Sequence, residues 1–194
     1  MKRIFWILAN LAIITGFTPV VMAQQTAKFL ASESSMEIKG TSNLHEWEER
    51  VKSFNVTLDV VYGNNTVQGF NNVVFSSAST AIESDNSIMT NKTQEALNVK
   101  KYPEIRFTQT SKGVLQNQNG KLTGTIEGNL ELAGVRKLIT LSFEGKVASG
   151  KLSISGSKKI KMSDFNISAP TALLGSLKTG DEVELIYLLQ FAVN

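Results

Sequence analysis

The alternation of side chains over residues 121–147 restricts this chain to a small set of folds. From Leu122 to Leu132 the even positions are Leu122, Gly124, Ile126, Gly128, Leu130 and Leu132, and every odd position is polar. Side chains alternate across a strand, so this run has one apolar face and one wet face. Past Ala133-Gly134-Val135-Arg136-Lys137 the pattern resumes in the odd frame at Ile139, Leu141, Phe143, Gly145 and Val147. Gly134 and the charged pair after it supply the turn. The unit is a long antiparallel hairpin with one apolar face. Two strands cannot bury such a face alone, so the remaining chain must close over it.

The rest of the sequence repeats the theme. Residues 26–40 hold two short strands, the second with Met36 and Ile38 between Glu37 and Lys39. Phe54, Val56, Leu58 and Val60 alternate with polar residues over 52–61, and Tyr62-Gly63-Asn64-Asn65 turns the chain. Residues 66–82 form a long irregular strand or two, with a bulge marked by Gly69 and Asn71-Asn72. Strands follow at 104–109, 151–162 and 182–193. One short helix is expected over about 90–99, capped by Thr90 or Asn91 and stopped by Pro103. Strands with one apolar face favour a single sheet curled on itself over a helix-covered one. A barrel of about eight strands buries every apolar face and removes the edges. A two-sheet sandwich satisfies the same pattern.

Residues 1–23 are expected to lie outside this domain. Lys2 and Arg3 precede an apolar run from Ile4 to Ile14, and Val21-Met22-Ala23 supplies small residues before Gln24. This is the pattern of a secretory signal peptide cut before Gln24, leaving a domain over 24–194. The apolar run is short for a bilayer span, and no second stretch reaches that length. Without Lys2 and Arg3 the basic excess shrinks to 18 against 17 acidic residues. No basic stripe suggests nucleic acid. The chain has no Cys, so a hydrophobic core must replace disulfides in an exported protein. The periplasm is the expected destination, and secretion is the alternative.

Two features bear on what the barrel encloses. Gly124, Gly128, Gly145 and Gly156 fall on inward parity, as bends of a long sheet or as room for a ligand. Residues 163–180 have loop composition yet carry Phe165, Ile167, Leu173, Leu174 and Leu177. Such a segment plugs a barrel end or lines a mouth.

Four segments resemble the YceI-like family. Leu97-Asn98-Val99-Lys100-Lys101-Tyr102-Pro103-Glu104-Ile105-Arg106-Phe107 is similar to its "L…(K)YP.I.F" signature. Residues 122–137 resemble its "TG.L…L.(I)HGVTK" hairpin, with Ala133 where His is common. Ser163-Asp164-Phe165-Asn166-Ile167 resembles its "DFGI" segment, and Gly180-Asp181-Glu182-Val183-Glu184-Leu185 its closing strand. The resemblance covers about residues 27–193. It implies an all-β, extended antiparallel lipocalin-like barrel, exported to the periplasm, that holds a polyisoprenoid or an isoprenoid quinone in an apolar cavity.

On that reading the partner is a long-chain apolar lipid. No cofactor, metal, nucleic acid or membrane span of the mature chain is expected, and a homodimer is compatible with the sequence. The tunnel is expected to be lined by Phe54, Val56, Leu58, Phe107, Leu130, Leu141, Phe143 and Met162. Trp47, Tyr102 and the 163–180 loop, with Phe165, Leu173 and Leu174, are expected near its mouth. Leu44, Phe75, Met89 and Leu97 complete the ligand-binding set. No catalytic residue is expected: Cys is absent, His45 is the lone His, and inward positions read as nearly all apolar. A filled barrel that binds protein partners, or an enzyme acting on a bound lipid, are the other classes the sequence admits.

Overall fold

The computed structural model describes residues 22–64, 66–111, 113–172 and 176–193. Among them the chain is almost wholly β. The strands are β1 (Ala23–Thr26), β2 (Lys28–Phe29), β3 (Ser35–Ser42), β4 (Glu46–Val51), β5 (Asn55–Gly63), β6 (Thr66–Ala78) and β7 (Ile82–Glu83). One helix, α1 (Ser87–Leu97), follows, and then β8 (Glu104–Gln109), β9 (Val114–Gln118), β10 (Lys121–Leu132), β11 (Val135–Ala148), β12 (Lys151–Lys161), β13 (Thr171–Ala172) and β14 (Leu177–Ala192). The count exceeds the expected eight because short pieces at the edges, such as β2, β7 and β13, pair as separate strands.

All pairings are antiparallel, and the sheet runs β1-β5-β6-β8-β10-β11-β12-β14-β3-β4-β7, with β9 beside β10. The curl is stitched by the N-terminal segment. β1 pairs with β5, the Ala27 amide donates to the Leu58 carbonyl at 3.0 Å, and Phe29 of β2 pairs with Phe191 of β14. One short segment therefore joins the two sides of the sheet.

Three hairpins use the same two-residue turn. Asn119-Gly120, Ala133-Gly134 and Ser149-Gly150 all have positive φ at both positions, and their flanking residues pair directly. This backbone matches strand twist, and glycine adopts its second position without steric cost. The β10–β11 turn is thus Ala133-Gly134 alone. Arg136 and Lys137 belong to β11, where Arg136 pairs across the ladder with Glu131 at 2.7 Å.

The bulge expected in β6 is present. Residues 71–74 of β6 oppose 57–59 of β5, so β6 carries an extra residue there, and Asn72 takes φ 52°. Asn72 Nδ2 donates to Asp59 Oδ2 at 2.8 Å, and Thr26 and Gln24 also donate to that carboxylate. These bonds hold Asp59 below the ordinary carboxylate range, Thr26 contributing most.

The helix begins three residues before the expected start. Asn86 caps it, accepting from the Ile88 and Met89 amides, and Asn98 ends it in the left-handed conformation. Thr90 serves the preceding turn instead: its hydroxyl receives the Ser84 amide at 3.0 Å.

The inward glycines are occupied by neighbours. A Cβ on Gly124 would meet the ring of Phe143, its cross-strand partner, and one on Gly128 would meet Phe107. Gly156 lies under Tyr187, also its direct partner. Aromatic rings lie over these three glycines, and a Cβ on Gly145 would meet the Ser153 carbonyl oxygen, so the inward glycines let neighbours approach the sheet and do not themselves create the cavity.

Candidate ligand-binding site

The interior divides along the strands. At the end near the β11–β12 turn, Val60, Leu122, Leu152, Ile154 and Phe191 are 0–4% exposed. The rings of Phe70 and Phe143 meet at a tilt with centroids 5.4 Å apart, and those of Phe29 and Phe191 at 5.5 Å. The side chains at this end are almost fully enclosed. At the other end the same strands border a cavity of about 430 Å³ with mostly apolar walls. On β11, Phe143 is packed while Leu141 and Ile139 face the cavity; on β12, Ile154 is packed while Ile160 faces it. Inward-facing Ile139, Leu141, Ile160, Leu185 and Leu189 remain only half-buried because their neighbouring space is open. The volume lies within the range of small-ligand sites.

Three pieces build the upper walls. The helix presents Met89, Thr93, Ala96 and Leu97, spaced to lie on one face. β4 presents Trp47, Glu49 and Val51. Trp47 lies over its partner Gly40, which leaves room for the ring, and its indole donates to the Thr41 carbonyl at 3.0 Å. The third piece is the segment after β12, which contributes Ile167, Pro170 and Thr171, continued by Leu177 and Thr179 of β14. Asn43 anchors this rim: its side chain donates to the Ser176 carbonyl at 2.8 Å and receives the Lys178 amide at 2.9 Å. The described part of the 163–180 segment therefore borders the cavity.

The barrel wall is split beside this space. β11 and β12 pair only from Glu144–Ser155 to Ala148–Lys151. Above Ser142 the strands separate, with the Tyr187 hydroxyl donating to the Ser142 carbonyl at 2.9 Å at the lower corner. Lys137 and Asp164, 2.9 Å apart, bridge β11 to the segment after β12 higher up. Burial pushes the Tyr187 phenol up to about 12, so it remains a neutral donor.

Nine residues of the expected set meet at the cavity: Trp47, Val56, Phe75, Met89 and Leu97, with Phe107, Leu130, Leu141 and Met162. The other described residues of the set lie elsewhere. Leu58 and Phe143 belong to the packed half, since strand parity says which face a residue takes but not how high it sits. Phe165 is buried beneath the rim, with the Lys137 ammonium 5.9 Å from its ring. Phe54 packs on Phe29 and Phe75 outside the cavity wall. Tyr102 covers Gly134, and Leu44 is 66% exposed. Leu173 and Leu174 lie outside the described residues, as does most of the expected signal peptide.

The walls are also less uniformly apolar than expected. Glu49 is the buried carboxylate among the described residues, 2% exposed, and it lines the cavity. Its Oε1 accepts the Thr93 hydroxyl at 2.8 Å. Burial raises its pKa, opposed in part by that hydrogen bond. Lys158, on the inward parity of β12, also lines the cavity, and His45 stands at the rim with Nδ1 2.8 Å from the Glu46 carbonyl oxygen. Sequence reading missed Glu49 because the run Glu46-Trp47-Glu48-Glu49-Arg50 conceals the alternation of β4. No group of three or more metal-binding side chains occurs among the described residues. No helix among them is long and apolar enough to cross a membrane.

Comparison with known proteins agrees with this architecture. The chain resembles the crystal structure of Burkholderia cenocepacia BcnA, with a TM-score of 0.67 and 14% identity over 84% of this chain and 99% of that one. It also resembles a polyisoprenoid binding domain from Saccharophagus degradans implicated in plant cell wall breakdown, at 0.63 and 11% over 87% and 98%. A Campylobacter jejuni YceI protein aligns at 0.60 and 19% over 100% and 99%. No curated protein matches by sequence. The family model described as the YceI-like domain matches residues 23–191, and the chain belongs to that family.

Proposed function

We propose that this protein is an exported carrier that takes one long-chain isoprenoid amphiphile into its half-empty barrel. The cavity carries this reading: it is mostly apolar, partly open, and set in a barrel whose other half holds almost fully enclosed side chains. An alkyl chain moved from water into such a space gains about 0.8 kcal/mol per CH₂. Trp47, Val56, Phe75, Met89, Leu97, Phe107, Leu130, Leu141 and Met162 are the proposed contacts. The related S. degradans domain, described as polyisoprenoid binding, supports the ligand class. Export is supported by the basic and apolar character of residues 2–14 and by a family match that begins at residue 23. Sequestration needs no bond to be made or broken, so the proposed role is binding and not catalysis.

Trp47 provides the test. In protein lacking residues 1–23 it is the single tryptophan, and it lines the cavity. Titrating delipidated protein with a C20 isoprenoid alcohol should change its emission saturably, at one ligand per chain. No change in emission, together with no thermal shift, would remove the carrier reading.

A further inference from the structure

Glu49 is the feature of the cavity that carriage of a hydrocarbon chain leaves unexplained. It projects from β4 opposite Ile38 of β3, on a strand whose other charged side chains, Glu46, Glu48 and Arg50, are exposed. Arg50 pairs with Glu37, Glu48 and Asp85 and not with Glu49. No cation pairs with Glu49 among the described residues, and its one hydrogen bond is the Thr93 hydroxyl on Oε1. No buried side-chain oxygen or nitrogen among them is sealed without a partner. Oε2 accepts no hydrogen bond from the described residues, and Glu49 lines the cavity.

The other ionisable groups around the cavity differ in kind. Lys92 of α1 is exposed and bonded to Glu95; His45 is exposed at the rim; Lys158 is half-buried on β12; and Tyr187 donates to Ser142. Lys92 and Lys158 are the lysines that line the cavity among the described residues, and neither pairs with Glu49. A carboxylic acid in an apolar space carries an O–H donor, and a buried donor without an acceptor costs free energy. Thr93 donates to this group, so in its protonated form the O–H has no acceptor among the described residues.

Building on the carrier reading, we propose that the Glu49 carboxylic acid is the internal polar anchor of the site, donating from Oε2 to an uncharged oxygen of the bound amphiphile, a hydroxyl or a carbonyl. The ligand class is then a neutral isoprenoid alcohol or quinone rather than its phosphate. Thr93 is the positioning residue: it holds Oε1 and so directs Oε2 into the cavity.

The test compares geranylgeraniol, geranylgeranyl phosphate and the hydrocarbon that ends in methyl in place of the hydroxymethyl group. One matched hydrogen bond corresponds to about a tenfold change in affinity. The alcohol-to-hydrocarbon affinity ratio should fall about tenfold in Glu49→Leu. In Glu49→Gln, which retains an N–H donor, it should be kept. Wild-type protein supplies an independent readout should the Leu variant fail to fold. The protonated-carboxyl stretch in difference infrared spectra, assigned by its absence in Glu49→Gln, should shift with the alcohol and not with the hydrocarbon. An unchanged ratio in Glu49→Leu, the same infrared response to both ligands, or binding of the phosphate alone would overturn the anchor while leaving the carrier intact. Failure of all three to bind overturns the carrier reading and this inference with it.

Discussion

Glu49 sets a residue-scale expectation that is independent of any ligand. Burial raises its pKa in the folded state above the ordinary 4.5. The native chain then holds this proton more tightly than the unfolded chain does, so the stabilising contribution is fully present below the unfolded value. It is lost as pH rises through the raised folded value. Asp59 has the opposite sign: its hydrogen-bonded carboxylate contributes stability above 3.8 that is lost as pH falls through its depressed value. Urea unfolding of wild type and Glu49→Gln between pH 4 and 8 isolates the first effect. The wild type should lose stability relative to the Gln variant as pH rises across that window. A constant difference would show that folding leaves the pKa of this carboxyl unchanged.

At the scale of elements, what could be read from the sequence divides by how the signal is carried. The β10–β11 hairpin was legible because Leu130, Leu132, Ile139 and Leu141 follow the strand period and Gly134 marks the turn. β4 was not, because the charged Glu49 sits on its inward parity. The helix was legible as an element but not in its start, since Thr90, Asn91 and Asn86 are all competent caps and only the Ser84–Asn86 turn selects among them. The selection is testable. Asn86→Ala should cost about 1 kcal/mol in chemical denaturation, and Asn91→Ala, on the exposed helix surface, should cost little. Equal effects would return the cap to Asn91.

For the whole molecule, parity says that a side chain points inward but is silent on whether the space there is filled. Leu152 and Leu141 read alike in sequence, yet Leu152 is fully enclosed and Leu141 faces the cavity. Leu152→Ala should therefore cost about 2–5 kcal/mol. Leu141→Ala should cost less than half as much, because its neighbours already border open space. Comparable losses would mean that the cavity collapses in solution. The cavity itself follows from placement that no local pattern encodes: β11 and β12 stop pairing at Glu144–Ser155, while α1 and β4 supply walls in place of packed side chains. An enclosed ligand should also stabilise the barrel, by about 2.7 kcal/mol at a hundredfold excess over its Kd. The most direct measurement is native mass spectrometry of freshly purified protein, followed by organic extraction of the same sample. The expected result is one added mass per chain that leaves with the solvent as an isoprenoid amphiphile. A ligand-free mass, with an unchanged melting temperature after long-chain isoprenoids are added, would contradict it.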